Sequence, residues 1–166
     1  SGGFQVASLG QNIKISEEGI TFRSHLDGTL LYISPESAVR FQERLGSDII
    51  MCLDQPALFG ADEASTRAAT DRTHRWAERF LQAHRPDAGL LYGIVQGGTS
   101  LPLRKESAQA IGALSFQGVA IGGLSLGESK ESMWDAVDAV IPLLPPERPR
   151  HLLGVGSPED LIEGVA

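Results

Sequence analysis

Asp54 closes the apolar run Asp48-Ile49-Ile50-Met51-Cys52-Leu53, where a buried strand gives way to a loop. A carboxylate set there, partly withdrawn from water, can accept two donors from a planar ligand or act as an acid or base; it can equally well cap the next turn. Gln96 sits in Gly93-Ile94-Val95-Gln96-Gly97-Gly98. Glycines let backbone approach a ligand, and an amide both donates and accepts, which suits the edge of a heterocycle; a loop glutamine in a tight turn is the plainer alternative. Gly122-Gly123-Leu124 again ends an apolar run and leaves backbone N–H and C=O groups uncovered by side chains, although glycines also mark tight turns. In Gly154-Val155-Gly156-Ser157-Pro158-Glu159-Asp160, Ser157 is a cap and Pro158 the first helical residue. Helix N-termini bind phosphate, but Glu159 and Asp160 would repel one if they faced it. Phe4, after Ser1-Gly2-Gly3, could stack on a base or join a core.

Other chemistries find little support. His25, His74, His84 and His151 are scattered without ligand spacing, and no G-x-S-x-G elbow is present. The single cysteine, Cys52, cannot form an internal disulfide. Neither G-x-G-x-x-G nor G-x-x-x-x-G-K-[ST] occurs.

The elements that must position these residues follow a change of period. Residues 13–33 read as short antiparallel strands at 13–15, 20–23 and 30–33, with a tight turn at Asp27-Gly28. Ser34-Pro35 then starts a helix whose apolar face is Ala38, Val39, Phe41 and Leu45, ended by Gly46. From there strands and helices alternate: strand 48–53, helix 62–84; strand 90–95, helix 103–114; strand 119–121, helix 130–140; strand 151–155 and a helix from Ser157-Pro158. Asp54 shares its side of the first of these strands with Ile50 and Cys52; if that side faces the interior, Asp54 stands at the mouth of the barrel. Trp76 and Trp134 are expected to pack.

Four strand–helix units make a parallel α/β fold. An open doubly wound sheet and a (β/α)8 barrel compete, and polar residues at every strand end favour the barrel. A complete barrel takes roughly 250 residues, so the chain is expected to be about half of one, with residues 1–33 carrying the β-insertion and 34–166 the βα units.

With 42% hydrophobic residues in 166, one cored domain is expected. No run is long and apolar enough for a membrane helix and no secretory signal is visible, so a cytoplasmic protein is expected. The net charge of −7 opposes a stand-alone nucleic-acid binder. Charge can still segregate: Arg67, Arg72, Arg75 and Arg79 share one helix, and Arg148, Arg150 and His151 cluster, although solvated faces explain both.

Taken together, Ser1-Gly2-Gly3-Phe4-Gln5-Val6, Gly19 to Gly28, Ser34-Pro35-Glu36, Leu45-Gly46-Ser47-Asp48-Ile49, Gly93 to Gly98, Gly122-Gly123-Leu124 and Gly154-Val155-Gly156 resemble the bacterial tRNA-guanine transglycosylases, the queuine tRNA-ribosyltransferases. The resemblance covers essentially the whole chain, in order. It implies a (β/α)8 barrel with a zinc-binding insertion, a cytoplasmic homodimer, and exchange of guanine at the tRNA wobble position for a 7-deazaguanine through a covalent ribosyl–enzyme intermediate. Residues Ser1, Gly2, Gly3 and Phe4 would line the base pocket, with Phe4 stacked on the purine. Asp54 would accept from N1–H and the exocyclic amine; Gln96 and the Gly123 backbone would face O6, and the Leu124 carbonyl the 7-substituent. Gly154, Val155, Gly156, Ser157, Pro158, Glu159 and Asp160 would contact RNA.

The resemblance also places both catalytic aspartates outside the chain, one just before Ser1 and the nucleophile beyond Ala166, with the zinc ligands further on. The 166 residues alone are therefore expected to be inactive. Gln55-Pro56 departs from the acidic residue and cysteine that commonly follow the pocket aspartate in that family, which bears on base preference. A non-catalytic base- or RNA-binding relative, and a transglycosylase acting on DNA or another tRNA position, are the competing readings.

Overall fold

The structure is a computed structural model that describes Gly3, Gln5 and residues 13–165. Three short strands, β1 (Lys14–Ile15), β2 (Ile20–Arg23) and β3 (Leu30–Ile33), form an antiparallel sheet in the order β1-β2-β3. Lys14 lies opposite Thr21 and Ile20 opposite Ile33. The β2–β3 turn forms where Asp-Gly predicts it: Gly28 adopts φ 75° and the Asp27 carboxylate accepts the Thr29 N–H at 3.0 Å.

Helix α1 (Pro35–Arg44) starts at Ser34, whose side chain accepts the Ser37 N–H while the Ser37 hydroxyl accepts the Ser34 N–H, a reciprocal cap. Pro35, Ala38 and Val39 form its buried stripe against α2 and β4. Phe41 and Leu45, expected on that face, flank it and are mostly exposed. Phe41 lies round the helix from the Ala38–Val39 stripe, and Leu45 is the cap residue beyond the last helical turn.

Four parallel strands follow: β4 (Ile49–Met51), β5 (Leu90–Val95), β6 (Gly118–Ile121) and β7 (Arg150–Leu152), hydrogen-bonded in chain order. Between and after them come α2 (Glu63–Ala83), α3 (Leu101–Ala113), α4 (Lys130–Val140) and α5 (Pro158–Glu163). Gly93 is on the helix-facing side of β5, because a Cβ there would lie 2.5 Å from Phe116 and 2.7 Å from Ile111. Ile50 pairs with Leu91 in register, so it too faces the helices. The interior side is therefore that of Met51, Tyr92 and Ile94, so strict alternation from Ile50 would carry Asp54 to the helix side. Asp54 still reaches the interior because regular strand ends at Met51 and alternation lapses over Cys52-Leu53.

Both tryptophans pack as expected: Trp76 is fully buried and Trp134 lies partly buried against the core. The arginines of α2 are tied down rather than merely solvated. Arg75 pairs with Glu17, Arg79 with Glu36 and Arg67 with Glu106, and the Trp76 indole N–H donates to the Glu17 carbonyl at 2.8 Å. The Glu17 contacts fasten the small sheet to α2, while the Glu36 and Glu106 pairs tie α2 to its neighbouring helices. The Arg79 guanidinium holds Glu36 down at about 2. A depressed carboxylate contributes stability that is complete above the ordinary glutamate range and is lost as pH falls towards 2. Glu36→Gln should therefore lower the urea midpoint modestly at neutral pH, and its curve should meet the wild type's at the acid end. Parallel pH profiles for the two proteins would reject the assignment.

Among the described residues β4 and β7 each have one strand neighbour, and the inner-side residues Ile49 and Leu90 are about half exposed. Open edges and bare apolar surface promote association. The isolated 166-residue chain should self-associate with rising concentration in light scattering; a concentration-independent monomer would contradict this.

Candidate functional site

Asp54 and Gln96 meet at the carboxyl ends of β4 and β5. The Gln96 Nε2 donates to Asp54 Oδ2 at 2.7 Å, and both side chains are buried. The Gln96 backbone N–H donates to the Ser107 hydroxyl of α3 at 3.0 Å, and that oxygen lies 2.9 Å from His74 Nε2 of α2. Burial lowers the His74 pKa, which favours the neutral ring at this contact.

Glycines close the corner because side chains would not fit. Gly123 has φ 66°, and a Cβ on it would fall 2.1 Å from Gln96 Oε1. A Cβ on Gly3 would fall 2.1 Å from the Asp54 carbonyl and 2.5 Å from its Oδ1. Gly3 thus packs closely against Asp54; Ser1, Gly2 and Phe4 lie outside the described residues. The four strand ends share one rim, with the Gly154 Cβ position 3.8 Å from the Leu124 carbonyl.

Over this corner opens a cavity of about 340 Å³, lined by Asp54, Gly122, Gly123 and Leu124 on one side and by Met51 and Leu153 among the others. That is the low end of small-molecule pockets. Gln96 does not line it; its amide lies behind Asp54 and Gly123. The cavity wall includes Pro56, while Gln55 turns away, its Oε1 accepting from Arg72 at 2.5 Å. Cys52 is inert, since burial and then the Asp54 charge push its thiol pKa up.

Two residues of this site escaped the sequence reading. Arg104 of α3 is fully buried, and its guanidinium donates to the carbonyls of Gly98 (2.7 Å), Gly122 (2.7 Å) and Gly123 (3.0 Å). Burial lowers its pKa to about 10, partly offset by the Glu128 charge, so it stays protonated at neutral pH. Glu128 accepts the N–H groups of Ser125 and Leu126 and fixes the turn, in which Ser125 has φ 61°. In sequence Arg104 is one polar residue of a helical run, with no local signal for its direction.

At the β7 end, Ser157 caps α5 and shares a reciprocal cap with Asp160. The Asp160 carboxylate is buried against Lys130 of α4 and so is engaged within the protein. Gly154, Gly156, Ser157, Pro158 and Glu159 are exposed, and Val155 is partly buried. Among the described residues no group of three His, Cys, Asp or Glu side chains could hold a metal. No described helix is long and apolar enough to cross a membrane.

A carboxylate, an amide and glycine backbone gathered at the carboxyl rim of parallel βα units define an α/β enzyme-type site for a small planar polar ligand. The family model described as queuine tRNA-ribosyltransferase matches residues 1–166. The chain is 52% identical over 166 residues to the queuine tRNA-ribosyltransferase of Herpetosiphon aurantiacus, covering 100% of this chain and 42% of that protein. For the protein of that name from Pelotomaculum thermopropionicum the identity is 54%, covering 99% of this chain and 45% of that protein. For that from Bacillus licheniformis it is 52%, covering 99% and 44%. The chain belongs to the queuine tRNA-ribosyltransferase family, and its βα units are part of that family's TIM barrel. It spans less than half the length of these relatives.

Proposed function

We propose that the full-length protein carrying this chain is a tRNA-guanine transglycosylase, a pentosyltransferase that replaces guanine at the anticodon wobble position with a 7-deazaguanine. The observation that carries this reading is the Asp54–Gln96–Gly123 corner beneath the cavity. A guanine-like base presents adjacent donors, N1–H and the exocyclic amine, beside one acceptor, O6. Asp54 offers acceptor oxygens for the first two, and a glycine N–H suits the third. Gln96 stands behind this edge and holds the Asp54 carboxylate in place, and the Leu124 carbonyl faces the 7-substituent. Gly154 to Glu159 form the rim that meets RNA.

The covalent chemistry belongs to aspartates of the full-length protein outside this chain, and zinc to ligands elsewhere in it. Within the chain, Asp54 and the glycine backbone orient the base and keep water from its polar edge. The full-length protein is proposed to work as a cytoplasmic homodimer.

Incorporation of labelled guanine into purified tRNA, with the labelled position mapped, tests the reading. Label at the wobble guanosine supports it. Base binding without incorporation would identify a non-catalytic relative, and label in DNA or elsewhere in tRNA a different transglycosylase.

A further inference from the structure

Arg104 is the most deeply buried charge in the described chain that no carboxylate neutralises by direct contact. Its partners are backbone carbonyls from both loops of the site, Gly98 after β5 and Gly122 and Gly123 after β6. Burying a guanidinium is costly unless its donors are satisfied, so it persists only where several acceptors are held around it. A planar fork fits two neighbouring carbonyls; an ammonium cannot span both.

The consequence lies on the far side of those peptides. In a trans peptide the C=O and the next N–H point in opposite directions. Drawing the Gly122 and Gly123 carbonyls towards Arg104 turns the N–H groups of Gly123 and Leu124 away from it. Arg104 does not line the cavity, whereas Gly122, Gly123 and Leu124 do. Among the described residues neither of these N–H groups donates to a protein acceptor, whereas the next two, of Ser125 and Leu126, are both taken by Glu128. Two adjacent open donors beside a cavity make a subsite for an acceptor edge. The residue between these two carbonyls, Gly123, has left-handed backbone, φ 66°.

We propose that Arg104 is a positioning residue that sets specificity for the acceptor oxygen of the bound base, by aiming the Gly123 and Leu124 N–H groups into the cavity. This rests on the reading of the cavity as a guanine site. Its signature is discrimination between guanine and 6-thioguanine, which keeps the N1–H and amine facing Asp54 but offers sulfur, a weak acceptor, in place of O6.

The test uses the full-length protein, its Arg104→Lys and Arg104→Gln variants, and thermal midpoints as a measure of folding. Wild type should bind guanine more tightly than 6-thioguanine. Arg104→Lys, folded, should lose about tenfold to a hundredfold in guanine affinity, the worth of one or two hydrogen bonds. Its loss for 6-thioguanine should be much smaller, so the ratio approaches one, with tRNA affinity unchanged. Folded variants with an unaltered ratio would overturn the proposal. So would failure of both variants to fold, which would make Arg104 a structural clamp alone. Wild type that binds neither base would instead overturn the reading of the cavity itself.

Discussion

Asp54→Asn in the full-length protein is expected to weaken guanine binding by about tenfold to over a hundredfold, the loss of a charge-assisted hydrogen bond worth about 1.5–3 kcal/mol. The substitution preserves volume but exchanges one acceptor oxygen for an NH2. In the present geometry Oδ2 already accepts Gln96 Nε2 at 2.7 Å. With its NH2 towards the base, the Asn amide meets the N1–H and amine donors; with the NH2 towards Gln96, the Gln96 amide must flip to offer its Oε1, and the base then faces a neutral acceptor in place of a charged one. The effect should fall on the base and spare the tRNA, since phosphate contacts position the nucleic acid and lie away from this buried corner. Calorimetric titration of guanine and, separately, of tRNA into both proteins checks it. Unchanged guanine affinity with weakened tRNA binding would remove Asp54 from the pocket.

Gly123→Ala should be the more disruptive change. Left-handed backbone costs a non-glycine residue about 1–2 kcal/mol, and the new methyl would sit 2.1 Å from Gln96 Oε1. Gln96 cannot simply retreat, because its other amide atom is held on Asp54 and its backbone N–H on Ser107. Either the Gln96–Asp54 bond breaks, or the loop shifts and the Arg104 contact with the Gly123 carbonyl lengthens. Strain and overpacking together predict a stability loss of about 2–4 kcal/mol and guanine affinity reduced by more than about a hundredfold. Gly28→Ala is the matched control: its φ of 75° is equally left-handed, but a Cβ there meets nothing within 4 Å. It should cost about 1–2 kcal/mol and leave base binding intact. Gln96→Ala on the Gly123→Ala background should recover part of the stability. If Gly123→Ala and Gly28→Ala behave alike, the close approach at Gly123 has no functional weight.

The elements that could be read from the sequence were those with local causes. β5 at Leu90–Val95 and α4 at Lys130–Val140 coincide with the expected spans, α2 begins next to the expected start at Asp62, and α5 starts at the expected cap Ser157. A cap, a proline at the first turn, and a period of two or 3.6 act over a few residues, so the chain declares them by itself. Asp54, Gln96 and Gly123 were legible for the same reason: each is a polar residue or glycine directly after an apolar run.

What the tertiary structure decided has causes spread along the chain. Asp54 reaches Gln96 across 42 positions and Arg79 reaches Glu36 across 43. No local pattern records such partners. Alternation from Ile50 put Asp54 on the interior side by an assumption that the register with β5 reversed, and the irregular Cys52-Leu53 restored it. Arg104 and Asp160 each look like surface charges in sequence. Their burial depends on where the carbonyls of Gly122 and Gly123, and the ammonium of Lys130, come to rest. The sequence determined which residues stand at the strand ends; only the packing of α3 and α4 against those ends decided which side chains face the cavity and which hold its walls.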